Sequence, residues 1–156
     1  MEVAENEIHS HDITKKTAEY DKETILIKGL NLISKDIITI NLELVDSNID
    51  NNISMCINYN NKKYFSRGEC YFPVFQQLKD ELLIDNFGLQ CYGSLINAHA
   101  SGMMEFVPKV YLLTMGEQAR MKDIVIFFDY INIFEFATKK EQDTFFIKWI
   151  KSIQAK

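Results

Sequence analysis

Ile37–Val45 reads Ile-Ile-Thr-Ile-Asn-Leu-Glu-Leu-Val, and its alternation decides the fold class. Ile38, Ile40, Leu42 and Leu44 fall on one side, and Thr39, Asn41, Glu43 and Val45 on the other. A two-residue period of this kind belongs to a strand with one face buried and one in water. Downstream, Asp46–Asn52 is rich in Asn, Asp and Ser and reads as a turn. Ser54–Tyr59 and Lys62–Cys70 then flank Asn60-Asn61, and asparagine tolerates the positive φ of a two-residue hairpin. With Ile37–Val45 these segments make an antiparallel meander. Upstream, Thr24–Lys28 is a short β-branched run and a candidate first strand.

The period then changes. Tyr71, Phe75, Leu78 and Leu82 share one helical stripe, with Pro73 in the first turn, where its missing N–H costs nothing. Leu89–Gly93, Lys109–Thr114 and Asp123–Phe128 read as further strands, with Ser94–Glu105 as a loop and Gly116–Lys122 as a connection. Thr138 with Glu141 three residues on makes a capping box. Phe145, Phe146, Trp149, Ile150 and Ile153 follow as one apolar stripe, opposite Lys140, Asp143, Lys148 and Lys151. The pattern predicts an α+β fold. An antiparallel β-sheet has two main amphipathic helices packed against it as a single layer pair, with Trp149 largely buried. Residues 1–22, polar and acidic, read as a flexible arm, and residues 23–156 as one domain.

With 156 residues and 47% hydrophobic content, the chain is long enough for one real core. No apolar run is long enough to span a membrane, and the acidic start lacks a signal-peptide pattern. A cytoplasmic protein is expected. Cys56, Cys70 and Cys91 are widely spaced without C-x-x-C, so free buried thiols are expected over a disulfide or metal site. Net charge is −5, and residues 1–50 carry eleven Asp and Glu against five Lys. A basic surface is what a nucleic-acid backbone requires, so direct nucleic-acid binding is disfavoured. An acidic surface attracts a basic protein.

Chemistry-bearing groups are sparse. His99 and Ser101 lie two apart near Cys91, but no G-x-S-x-G elbow, orienting acid or oxyanion device accompanies them. His9 and His11, with Glu7 and Asp12, are plausible metal-ligand types in an arm that does not preorganise them. The isolated glycines build no phosphate-binding loop. The aromatics around Tyr59–Phe75 lack the arginines of a base-stacking platform and read as core. No catalytic residue, cofactor or metal is predicted, and the chain is not expected to be an enzyme.

Three segments together resemble a family of small bacterial proteins from polymorphic-toxin loci. The first is Tyr71-Phe72 with Phe75, Leu78 and Leu82. The second is Ser101-Gly102-Met103 with Val110-Tyr111-x-Leu113-x-x-Gly116. The third is Asp123-Ile124-Val125-x-x-Phe128-Asp129, continuing to Ala137-Thr138-x-x-Glu141-Gln142 and Phe146-x-x-Trp149. The resemblance covers about residues 71–153. Where the family pattern has Tyr-Pro before Ser-Gly-Met, this chain has His99-Ala100. It implies an immunity protein that neutralises a cognate bacterial toxin by binding it, and a basic nuclease-type effector domain is the expected partner. The acidic first third lies outside the resemblance and is expected to hold the partner surface, with Glu43, Asp46 and Asp50 as contributors. The alternatives are a small hydrolase-like enzyme using the Cys91/His99/Ser101 loop and a structural or adaptor module without a toxin partner.

Overall fold

The computed structural model describes residues 20–47 and 49–155. Four strands follow one another as an antiparallel meander: β1 (Tyr20–Asn31), β2 (Ile37–Ser47), β3 (Asn52–Tyr59) and β4 (Lys62–Gly68). Helix α1 (Tyr71–Ile84) comes next, and β5 (Phe87–Leu89) returns to pair with β1. The strand order is β4-β3-β2-β1-β5. Asn60 and Asn61 have φ of 54° and 64° and close the β3–β4 hairpin, as their side chains foretell. β1 begins at Tyr20, inside the segment read as an arm; residues 1–19 lie outside the described part of the chain.

Leu42 and Leu44 of β2, Ile53, Met55 and Ile57 of β3 and Phe75, Leu78 and Leu82 of α1 form the centre of the core. The alternation read from Ile37–Val45 therefore holds where α1 covers the sheet. It fails at the strand's start, where Ile38 is 40% exposed, beyond that cover. Gly29 has a steric reason: a Cβ there would overlap the ring of Phe87 on the neighbouring strand β5, which stacks on Tyr59.

The remaining strands do not extend this sheet. β6 (Ala98–His99), β7 (Lys109–Leu112) and β8 (Ile124–Ile126) make a separate three-stranded antiparallel sheet in the order β6-β7-β8. A second small sheet thus stands where the sequence suggests one sheet. Phe127 and Phe128 follow β8 and pack on Phe75, and Phe127 also meets Phe72. This aromatic cluster joins the two sheets through α1.

Helix α2 (Lys139–Gln154) begins at the capping box read from the sequence: Thr138 Oγ1 accepts from Glu141 N, and Glu141 Oε1 accepts from Thr138 N. Its apolar stripe is only half-buried, and Gln142 is its one fully buried residue. Trp149 is half-buried as well, contrary to expectation, and its Nε1 donates to Glu117 O at 2.8 Å. The physical reason is the surface that α2 meets: short strands and loops, with Phe146 stacked on His99 of β6.

Candidate partner-binding face

Strand parity separates carboxylates that lie close together in the sequence. β1 and β2 pair with Asp21 opposite Asp46 and Thr24 opposite Glu43. Asp46 shares its side of β2 with buried Leu42 and Leu44, the side facing α1. Glu43 is an odd number of residues away and projects from the other face. There it accepts from Thr24 Oγ1 at 2.9 Å and lies 4.0 Å from Lys22. Lys28, Lys63 and Arg67 share that outer face by the same parity. Asp50 stands in the β2–β3 turn, 3.1 Å from Arg67. Hydrogen bonding from Ser47 above all holds the Asp50 carboxyl below its ordinary value. Of the three predicted contributors, Asp46 alone lies on the α1 side, so the structure does not bring them together.

Asp46 instead belongs to a different group. Its Oδ2 accepts from Tyr71 Oη at 2.8 Å, at the first turn of α1. Burial, and then the hydrogen bond to Asp46, push the Tyr71 phenol well above its ordinary range; the charges of Glu23 and Asp21 act in the same direction. Asp21 and Asp46 are direct cross-strand partners of like charge, an arrangement that destabilises a sheet. On the other side, Tyr71 N donates to Glu105 O at 2.9 Å and so ties the loop after β6 to the same helix end.

That loop turns through a short 3-10 segment, Gly102–Met104. Met104 is buried and anchors it, whereas Met103 and Phe106 are 86% and 66% exposed. Two large apolar side chains therefore flank Glu105, close to Tyr71. A pocket of about 220 Å³ opens between this loop and the start of α1, lined by Cys70, Phe72, Pro73, Ala100, Ser101, Gly102, Met104 and Glu105. The sequence signal for this face was available in part. Met103 belongs to the Ser101-Gly102-Met103 segment, while Asp21, Glu23 and Glu105 gain meaning only through register and loop docking.

The residues of the catalytic alternative are not joined as a nucleophile and base. Cys91 is fully buried, 3.8 Å from Ser94 Oγ, and burial pushes its thiol up to about 11. The His99 ring stacks on Phe146 with centroids 3.7 Å apart, and burial lowers its pKa. Ser101 Oγ is buried without a hydrogen-bond partner, so no bond links it to His99. Cys56 and Cys70 are free but only half-buried, short of the burial expected of them. Among the described residues no group of three or more His, Cys, Asp and Glu is placed to hold a metal ion. His9, His11, Glu7 and Asp12 lie outside the described residues.

A comparison with protein-family models and with curated protein sequences finds no match. Among the described residues no helix is long and apolar enough to cross a membrane.

Proposed function

We propose that this chain is a protein-binding module of the immunity type, which neutralises a cognate basic toxin domain in the cytoplasm by direct contact and performs no catalysis of its own. The observation that carries the reading is the α1 end of the molecule. Asp21, Glu23 and Asp46 gather around Tyr71, and the loop that carries exposed Met103 and Phe106 is tied to the Tyr71 backbone through Glu105 O. Exposed apolar anchors beside charge match the anatomy of protein interfaces, where a few large side chains supply most of the binding energy. The opposed Asp21 and Asp46 cost the free protein stability. A basic partner offsets that cost and is steered to the site by it.

The resemblance over residues 71–153 supplies the toxin as the partner class. Co-purification with the product of the adjacent upstream reading frame tests it. Binding is expected to weaken when Met103→Ala or Asp46→Asn is introduced. Association should also slow with added salt. Glu43→Gln and Asp50→Asn, on other surfaces, should leave it near wild type. No complex with that product, or a complex indifferent to Met103 and Asp46 alike, would remove the reading.

A further inference from the structure

The pocket beside Glu105 has a composition that names its occupant. Its walls are the side chains of Phe72, Pro73, Ala100 and Met104, which suit an aliphatic stem. Glu105, exposed to solvent, is the one charged residue that lines it, and neither Lys nor Arg does. Its volume, about 220 Å³, is below the roughly 300–1,000 Å³ of sites built for whole small molecules. One long side chain fits such a space. Burial first, and then the charges of Glu105 and Glu69, push the Cys70 thiol above its ordinary value.

Long basic side chains bury their methylenes along apolar surface while the charged head keeps a polar partner. We propose that the pocket takes a single arginine or lysine side chain presented by the partner protein, with the stem against Phe72, Pro73 and Met104 and the cation on Glu105. The inference rests on the partner-binding reading above and names the anchor that the partner brings. Charge complementarity selects this occupant over an apolar one: an apolar residue here would strip water from the Glu105 carboxylate without replacing it. Gly102 lines the pocket, and a Cβ there would meet nothing within 4 Å, so a larger side chain can be placed at this position without a clash at its Cβ.

The test uses the full chain, labelled for amide NMR, and acetyl-Gly-Arg-Gly-amide as the probe. The lysine peptide and the neutral citrulline peptide serve as comparisons. Saturable shifts centred on Ser101, Gly102 and Glu105 are expected with both cationic peptides, and severalfold weaker binding with citrulline. Glu105→Gln should weaken the arginine peptide about tenfold, as loss of a charge-assisted hydrogen bond implies. Gly102→Leu should abolish the shifts while leaving the rest of the spectrum in place. Equal binding of the citrulline peptide would overturn the proposal. So would an absence of saturation at millimolar arginine peptide. Because the peptide is read without any toxin, the two readings fail separately. Saturation without co-purification removes the toxin and leaves the pocket; co-purification without saturation removes the pocket alone.

Discussion

Helices α1 and α2 have 14 and 16 residues, yet they are held by different physics. α1 buries Tyr71, Phe72, Val74, Phe75, Leu78 and Leu82 between the two sheets. α2 fully buries only Gln142, a polar residue. Gln142 Nε2 donates to the carbonyls of Gly93 and Leu95, and its Oε1 accepts from Gln76 Nε2. Buried Lys79 of α1 donates to Ala137 O at 2.8 Å and to Asp80, and Asp80 in turn accepts from Lys139 N. The N-terminus of α2 is thus pinned to α1 by a buried polar network, while its apolar stripe rests on a shallow surface. Amphipathic periodicity shows which face turns inward; the depth of the receiving surface decides how much that face is worth.

The contrast breaks most easily at Phe75, which is fully buried among Phe72, Phe127 and Phe128. Phe75→Ala is expected to cost about 3–5 kcal/mol, the range for large core truncations. Denaturant unfolding measures it, and a loss no greater than that of Trp149→Ala would erase the distinction between the helices.

Gln142→Leu comes next. It removes three hydrogen bonds and leaves the Gly93 carbonyl and the Gln76 amide without their partner, while the Leu95 carbonyl keeps the bond from Ala98 N. Unmet buried polar groups make this worth about 2–3 kcal/mol. Hydrogen exchange should show the first turn of α2 opening well before α1. Uniform protection of both helices in this variant would mean that the apolar stripe, not the network, holds α2.

The half-buried indole predicts a smaller effect. Trp149→Ala should cost about 1–2 kcal/mol, below the core range, through lost contact with Phe146 and the lost hydrogen bond to Glu117 O. Fluorescence of the native protein should report a partly solvated indole.

These magnitudes also show which parts of the molecule were legible in the sequence. Local signals carried through: the alternation of Ile40, Leu42 and Leu44, the Asn60-Asn61 turn and the Thr138–Glu141 box each depend on residues a few positions apart. The division into two sheets, the shallow seat of Trp149 and the burial of Gln142 depend on which distant segment arrives, and no local period encodes that. The grouping of carboxylates around Tyr71 depends on the same distant placement. An acidic count over residues 1–50 treats Glu43 and Asp46 alike, but the strand's two-residue period sends them to opposite faces. Only the register brings Asp21 beside Asp46, and only a backbone hydrogen bond from Tyr71 N to Glu105 O ties the loop after β6 to the start of α1.

The subtlest difference between the helices concerns pH. His99 stacks flat on Phe146 of α2, with an interplanar angle of 7°. Burial lowers its pKa from 6.5, and Asp143 opposes that shift only in part. The folded protein therefore binds this proton less readily than the unfolded chain. Stability from the stack is fully present above the unfolded value. It declines as pH falls below about 6.5 and levels off once the folded form is protonated as well. The decline should appear in the exchange of α2 amides around Phe146 and spare those of α1 around Phe75, which no titrating ring touches. His99→Phe keeps an aromatic partner for Phe146 and removes the proton, so the mildly acidic loss should vanish while stability at neutral pH stays close to wild type. A wild-type slope persisting in His99→Phe would detach the acid sensitivity from this ring and from α2.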